Sequence, residues 1–347
     1  MTNREIAQKL KISPASLSLI LNNKPGVSDS TRTKILTQLN EMGFGYLIKK
    51  ITTEVQNNNI GFIIYKKHGA ILDISPFFLV LMEFIEIHAR SYGYNILLST
   101  IDERRSLKPQ IDHISELNLK GAIIFATEMN DEDMKGFKNL QIPIVAIDND
   151  FSRLSCNTVS INNIMGTFQA IEHLVKMNHC RIGYLKSNIR ISSFEERKKG
   201  YESALEYFNL TFSSSDILEV RHTEEGSYQD IKGFLEINKS TKLPSAFVCD
   251  DDTIAVGALR AFTEYGYKIP EDISIIGFND RSICEVTSPP LTTISIPKRT
   301  FAFEAVDELI HLIHNKDKSL EVSLSRKIRI ETKLIQRESV RLIEEKK

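Results

Sequence analysis

The chain has 347 residues, of which 41% are hydrophobic and 26% charged, with 16 glycines and 10 prolines. This composition is typical of a globular protein with at least two packed units, and it excludes a disordered or fibrous chain. No apolar segment reaches the ~18 residues of a membrane span, and the N-terminus lacks the apolar segment of a signal peptide. We therefore expect a cytoplasmic protein that does not enter a membrane.

The formal net charge of −1 is unevenly distributed. Residues 1–50 contain eight Lys and Arg but three Asp and Glu, so this segment carries +5 and the remainder −6. A basic segment on an acidic body favours a polyanion as the partner of that segment alone. The four cysteines are scattered without metal-ligand spacing, so we expect buried thiols, no metal site and no cofactor: Cys156, Cys180, Cys249 and Cys284.

The first 45 residues show the pattern of short helices. Thr2 with Glu5 fits a capping box and starts a helix over 3–10. Ser13 before Pro14 starts a second helix after a very short break. Two helices joined so tightly must cross steeply, as in a helix-turn-helix unit.

A third helix completes this segment. Ser28 caps it, and its apolar stripe runs to Met42 before Gly43 ends the helix. We predict an all-α helix-turn-helix domain over residues 1–45.

The segment IAQKLKISPASLSLILNNKPGVSDSTRTKILTQLNEMGF resembles the headpiece of the lactose repressor (LacI/GalR) family of bacterial transcription regulators nearly position by position. The resemblance implies that the second helix enters the major groove of operator DNA. The side chains implied to face base edges are Pro14, Ala15, Ser16 and Leu19. Those implied to contact phosphates or otherwise to bind DNA are Ser13, Ser18, Asn22, Lys24, Ser28 and Arg32.

Alternatives remain for several of these residues. Many members of the family carry arginine at the position of Leu19, and leucine cannot make a bidentate contact to guanine. Recognition of that base pair by the protein would then depend on apolar contact or on DNA shape. Pro14, Ala15 and Leu19 could instead cap and pack the helix, and Lys24 and Arg32 could lie on a solvated face.

Residues 46–59 are typical of a hinge between this domain and the first strong strand. The family usually has an Asn-x-x-Ala-x-x-Leu-like pattern here that wedges a leucine into the minor groove, and this sequence lacks it. Leu47, Ile48 or Ile51 could replace the wedge, although the β-branched residues from Ile51 to Thr53 disfavour a helix. We expect weaker DNA bending than the resemblance implies.

From residue 60 to 340, short apolar strands alternate with amphipathic helices, and the alternation occurs twice. The predicted strands are 60–65, 95–99, 121–126, 143–148 and 158–161, then 181–185, 216–220, 245–249, 273–278 and 292–296. This pattern predicts an α/β body of two doubly wound lobes with a ligand at the carboxyl ends of the strands. No nucleotide-binding glycine motif is present.

Several stretches of the body resemble the periplasmic-binding-protein-like core of the same family, among them SPFF, FEERKKGYESAL, the segment from Asp250 to Asp280, SPPLTTI and KLIQRES. The resemblance implies an effector pocket with Phe77 as an apolar wall, four polar contacts and His222 near the rim. The polar contacts are Asp148, Arg197, Asp251 and Asn279. This set suits a sugar, and contacts to a ribose or a purine stay open.

Each pocket residue also has a purely structural interpretation. Arg197 lies in a charged run that is typical of a solvated helix start, and Asp251 could cap the helix that follows. Asp148 could be a turn residue and Phe77 a core residue. The segment Lys66–Asp73 lengthens the first loop and departs from the family.

The segment from Phe77 to Ile85 is apolar around more than one helical face, so we expect a partner subunit to cover the excess. A two-fold dimer would present two headpieces to a pseudo-palindromic operator. No leucine heptads follow KLIQRES, which favours a homodimer over a tetramer.

Together these features predict a sequence-specific DNA-binding regulator, of repressor type, controlled by a small-molecule effector that is a sugar or sugar derivative. We expect no catalytic residues. Two other classes stay open, namely a sugar-binding protein without a DNA function and an α/β enzyme acting on a sugar. The candidate bases of such an enzyme are His113, His173, His179 and His222.

Overall fold

The computed structural model describes residues 3–22, 24, 26–42, 44, 58–72, 77–239, 242–315 and 324–344. Its contacts divide the chain into two compact units, residues 1–58 and 59–347. Within the described ranges, no helix combines the length and the apolarity that a membrane span requires.

The first unit contains α1 (Asn3–Lys9), α2 (Pro14–Leu21) and α3 (Asp29–Glu41), as predicted. The Ser13 hydroxyl caps α2 by accepting the N–H of Ser16 at 2.9 Å. The hydroxyl of Ser28 accepts the N–H of Thr31 at 3.4 Å. Apolar side chains from all three helices form one small core, which includes Ile6, Leu17, Ile20 and Leu39.

Some predicted features lie outside the described residues. They are the capping residue Thr2, the helix end at Gly43, and the hinge residues Leu47, Ile48 and Ile51.

The second unit contains twelve strands, nine α-helices and two short 3-10 helices (Gly136–Leu140 and Ser214–Asp216) among its described residues. The strands are β1 (Asn59–Lys66), β2 (Asn95–Asp102), β3 (Gly121–Phe125), β4 (Ile144–Ile147), β5 (Asn157–Ile161), β6 (Ile182–Ser187), β7 (Ile217–Val220), β8 (Ala246–Cys249), β9 (Ser274–Asn279), β10 (Thr292–Ser295), β11 (Lys327–Ile330) and β12 (Lys333–Ile335). The helices are α4 (Phe77–Ser91), α5 (Leu107–Glu116), α6 (Asp131–Lys135), α7 (Asn163–Lys176), α8 (Ser192–Tyr207), α9 (Glu224–Ile237), α10 (Asp252–Glu264), α11 (Ile283–Val286) and α12 (Lys298–Asn315).

These strands form two sheets with the same spatial order. Lobe 1 has the order β11-β5-β4-β3-β1-β2, and lobe 2 has the order β12-β10-β9-β8-β6-β7. Neighbouring strands run parallel except β12, which pairs antiparallel with β10. The repeated order confirms the predicted pair of doubly wound lobes.

All ten predicted strands are present within one to three residues of their expected bounds, whereas β11 and β12 were not predicted. Both are short edge strands with basic residues, Lys327 and Arg329 in β11 and Lys333 in β12, and charged side chains are typical of such strands. Their formation depends on docking to β5 and β10, far away in the sequence.

The chain passes between the lobes three times. After β5 it enters α7, which packs on lobe 2, and after β10 it enters α12, which packs on lobe 1. The short connection from β11 to β12 is the third passage. These three connections form the hinge between the two lobes, which is distinct from the predicted hinge at residues 46–59.

The expectation of four buried thiols is wrong for Cys180. Cys249 and Cys284 are buried and Cys156 is half-buried, but Cys180 is exposed. It lies in the turn between α7 and β6, where a loop runs over the surface.

A close helix contact gives a test of the packing. A Cβ atom on Gly200 of α8 would lie 2.5 Å from the main-chain oxygen of Ile164 in α7, whereas one on Gly233 of α9 would meet no atom within 4 Å. We expect Gly200→Ala to lower the free energy of unfolding by about 1–3 kcal/mol. The matched Gly233→Ala should raise it by roughly 0.5–1 kcal/mol. Urea unfolding measures both, and a Gly200→Ala chain as stable as wild type would contradict the contact.

Candidate functional site

A cavity lies between the carboxyl ends of the two sheets. Counting the part open to solvent, its empty volume is about 480 Å³. Its wall is formed by Ile71, Leu72, Phe77, Phe78, Phe125, Thr127, Asp148, Ile191, Ser193, Phe194, Arg197, His222, Asp251, Asn279 and Ile296.

All six residues that the resemblance implied for the effector pocket line this one cavity. They meet because the loops and helix starts that follow parallel strands gather at one edge of each sheet. Sequence reasoning missed Thr127 and Ser193. Thr127 follows β3 at the same edge, so the strand-end rule alone could have indicated it.

The two lobes contribute different chemistry to the wall. Lobe 1 supplies mainly apolar groups, including the aromatic rings of Phe77, Phe78 and Phe125, whose centroids lie 6.3–6.4 Å apart in neighbouring pairs. Lobe 2 supplies most of the charged and hydrogen-bonding groups, including Arg197 and Asn279. The cavity therefore suits a ligand with one apolar face and one face rich in hydrogen-bonding groups.

The guanidinium of Arg197 is the central cation of the cavity. Only 4% of the residue is exposed, so its interpretation as part of a solvated helix start is wrong. Nε donates to Asn163 Oδ1 at 3.0 Å, Nη2 to Asn279 Oδ1 at 3.2 Å, and Nη1 to the main-chain oxygen of Asp250 at 2.5 Å. Its carbon lies 3.7 Å from the centroid of the Phe278 ring.

Burial lowers the pKa of Arg197, and the neighbouring carboxylates partly oppose this effect. Arginine has five N–H groups, and these three bonds leave two for a ligand.

Asp148 faces the cavity from the end of β4. The hydroxyl of Thr127 donates to Asp148 Oδ2 at 2.5 Å. Burial raises the pKa of Asp148 to about 6, although the Thr127 bond and the charge of Arg197 act in the opposite direction. The carboxyl group is thus held in an environment that penalises its charge.

Asp251 and His222 form a second polar group in the wall. Asp251 Oδ1 accepts the N–H of Ile254 at 3.1 Å and caps α10, so its structural interpretation also holds. Asp251 Oδ2 lies 3.4 Å from His222 Nε2. The implied rim position of His222 is wrong, because only 3% of the residue is exposed and its ring packs against Phe194 within the cavity wall. Among the described residues, His222 Nδ1 has no hydrogen-bond partner.

Contacts continue from the cavity to the hinge. Asn163, at the first passage between the lobes, also donates through Nδ2 to Glu196 Oε2 at 2.9 Å. Arg329 of β11 donates through Nη2 to Glu196 Oε1 at 3.3 Å and to Asp150 Oδ2 of lobe 1 at 2.9 Å. Arg197 is therefore connected through polar contacts to both lobes.

The histidines proposed as enzyme bases do not form a catalytic group. Burial lowers the pKa of His179 to about 4, and its ring lies between Ser245 Oγ and the oxygen of Arg341. His113 is exposed on α5, and His173 is buried on α7. Within the described part of the chain, no group of His, Cys, Asp and Glu is arranged to hold a metal ion.

The first unit presents a polar face on α2. Leu17, Ile20 and Leu21 point into the core, and the opposite face exposes Ser13, Pro14, Ala15, Ser18 and Asn22. Lys24 and Ser28 are also exposed, while Ser16 and Leu19 are half-buried.

Arg32 has a structural role that the sequence did not indicate. Its guanidinium donates to the main-chain oxygens of Leu19 at 3.4 Å and Lys24 at 2.6 Å. Arg32 is half-buried, and these bonds tie α3 to the end of α2.

The raised pKa of Asp148 predicts a stabilising substitution. The folded chain holds a proton on Asp148 up to about pH 6, whereas the unfolded carboxyl releases it near 3.8, so the carboxyl costs stability as the pH rises through this window. Asp148→Asn should therefore exceed wild type in unfolding free energy by about 1–3 kcal/mol at pH 7.5. The excess should vanish near pH 4. Urea titrations at the two pH values measure the difference, and a pH-independent excess would exclude this cause.

The chain is similar to known proteins in both sequence and fold. Residues 171–340 match the model of the periplasmic binding protein-like domain. The ribose operon repressor of Haemophilus influenzae is 26% identical over 321 residues, covering 92% of this chain and 93% of that protein. The HTH-type transcriptional repressor PurR of Haemophilus influenzae is 26% identical over 345 residues, covering 99% of each.

Among solved structures, the lac repressor dimer bound to operator and the anti-inducer ONPF has a TM-score of 0.73 at 21% identity. The match covers 98% of this chain and 99% of that chain. The structural likeness shows the fold, and the relatives, which match along nearly their whole length, are named repressors. Together these findings support a regulator of the lactose repressor (LacI/GalR) family.

Proposed function

We propose that this regulator is a repressor that binds operator DNA through the exposed face of α2, and that an uncharged sugar in the cavity between the lobes changes its operator affinity. The observation that carries the proposal is the convergence of the six implied pocket residues on one cavity. In this proposal the protein acts in the cytoplasm and catalyses no reaction.

The chemistry of the wall supports a sugar. Carboxylates such as Asp148 accept hydrogen bonds from hydroxyl groups, and the guanidinium of Arg197 donates to hydroxyl oxygens. The aromatic side of lobe 1 suits the apolar face of a sugar ring. The ribose operon repressor is named for a sugar operon.

The charge of the wall favours an uncharged sugar over a phosphorylated one. Asp148 and Asp251 oppose the single guanidinium, and no lysine is among the described residues of the wall. A phosphate would therefore meet two carboxylates and only two unoccupied N–H groups of Arg197.

Exposed apolar side chains support a homodimer. Part of the apolar excess predicted for α4 packs inside the lobe, through Phe77, Phe78, Met82 and Phe84. Other side chains of lobe 1 remain in solvent in the single chain, including Leu79 (50% exposed), Ile87 (48%) and Leu98 of the edge strand β2 (53%). A second copy would cover them, and two headpieces would then meet a pseudo-palindromic operator.

The connections between the lobes offer a route by which a bound ligand can change how the two lobes are arranged. A ligand that bonds to Arg197 alters a guanidinium that is connected through Asn163, Glu196 and Arg329 to Asp150 of lobe 1. A coupling of about 1–3 kcal/mol is enough to regulate operator binding. The direction of the response follows from which lobe arrangement the ligand prefers.

Arg197→Ala tests this assignment. The substitution removes charged hydrogen bonds, so we expect the affinity for the bound sugar to fall by about tenfold to a hundredfold. Operator binding without sugar should be unchanged. Calorimetry measures the first quantity and fluorescence anisotropy of labelled operator the second.

The matched control is Lys198→Ala, the next residue of α8, whose ammonium pairs with Glu202. It should leave both quantities at their wild-type values. If the Arg197→Ala protein responds to the sugar as wild type does, Arg197 is not part of the sugar site.

A further inference from the structure

The loop after β1 is folded around one buried carboxylate, that of Glu128, which follows β3. Oε2 accepts the N–H groups of Lys67, His68 and Gly69 at 3.0, 3.1 and 2.8 Å, and Oε1 accepts those of Ile71 and Leu72 at 2.9 and 3.2 Å. We call residues 67–72 the Glu128 loop. Gly69 has a φ of +74°, a conformation that glycine adopts readily and that lets the loop turn around the carboxylate.

Two further features show how firmly this loop is held. Burial opposes the charge of Glu128, but the N–H groups of Ile71, Gly69 and His68 outweigh it and lower the pKa of Glu128. The side chain of Lys67 also donates to Asp133 Oδ2 of α6 at 2.7 Å. The Glu128 loop is therefore fixed to lobe 1 through both its backbone and a side chain.

The end of the Glu128 loop reaches across to lobe 2. Ile71 and Leu72 are buried and line the cavity. Ile71 packs with Ile191 and Phe194, which begin α8 of lobe 2. This apolar contact joins the two lobes at the cavity wall.

A second cleft with a more polar set of lining residues, which we call the outer cleft, adjoins the cavity at Ile191. It is lined by Lys67, His68, Asn130 and Arg190, and by Ile191, which also lines the cavity. Because Ile191 lines both, its contact with Ile71 and Phe194 lies where the cavity and the outer cleft adjoin.

We propose that Glu128 is a positioning residue for the effector site, which holds Ile71 against Ile191 and Phe194 and so restricts the cavity to a single sugar ring. The inference rests on the proposed function, in which the cavity binds a sugar. A second ring would have to extend into the outer cleft and separate Ile71 from Ile191. That movement would pull N–H groups away from a buried carboxylate, which is unfavourable for both partners.

The test compares monosaccharides with disaccharides on the full-length chain. Calorimetry measures binding of ribose, glucose and galactose, and of cellobiose, maltose and lactose, which contain the hexoses. We expect wild type to bind a hexose at least about tenfold tighter than any disaccharide that contains it, since packed sites discriminate by about this factor for small changes in ligand size.

Two variants separate the role of Glu128 from general stability. In Glu128→Gln the amide nitrogen cannot accept, so one set of N–H groups loses its partner. Ile71→Ala removes most of the apolar contact between the lobes while the Glu128 carboxylate and its hydrogen bonds remain. Both should reduce the preference for the monosaccharide to well below its wild-type value. Trypsin should cleave Glu128→Gln faster after Lys66 or Lys67, because the loop is released.

The matched control is Glu172→Gln, whose side chain is 41% exposed, pairs with Lys176 and lines neither the cavity nor the outer cleft. It should retain the wild-type preference and cleavage rate. A wild-type chain that binds a disaccharide as tightly as its monosaccharide, or an unchanged preference in both variants, would overturn the inference and leave the sugar site standing. Failure of every sugar to bind wild type would overturn the proposed function as well.

Discussion

The buried guanidinium of Arg197 is the constraint on which the cavity depends. A charge removed from water is tolerated only when hydrogen bonds and opposite charges surround it. The chain meets this requirement with groups from separate elements, namely Asn163 at the first passage between lobes, Asn279 at the end of β9 and the main-chain oxygen of Asp250 after β8. The elements that satisfy Arg197 are therefore those that form the ligand site and the hinge.

The same site contains groups that cost stability in the free protein. Burial raises the pKa of Asp148 to about 6, and His222 Nδ1 has no partner among the described residues. A packed core would avoid both features, whereas a ligand rich in hydroxyl groups can satisfy them. Glu128 shows the opposite arrangement, because backbone N–H groups already satisfy its charge. We infer that Asp148 and His222 are available to the ligand and that Glu128 shapes the wall.

The periodicity of the sequence was enough to predict ten strands and three headpiece helices, because each carries a continuous apolar pattern. The strands β11 and β12 escaped prediction since their stability comes from distant edges. The family resemblance indicated the six pocket residues. The role of Glu128 could not be predicted from the sequence, because its hydrogen-bond partners lie 56–61 residues away along the chain. Likewise, nothing local to Arg32 indicates that it donates to main-chain oxygens near the end of α2.

The most direct measurement is retention of fragmented genomic DNA by the immobilised full-length protein at near-physiological salt, followed by elution with each sugar that binds the protein. Salt removes complexes held by phosphate contacts alone, and specific complexes remain. We predict that a few fragments sharing a pseudo-palindrome are retained, that a bound sugar changes their retention, and that a headpiece variant, Ala15→Glu, retains none. If no fragment is retained with or without a sugar, or if bound sugars leave retention unchanged, the protein is not a sugar-controlled repressor.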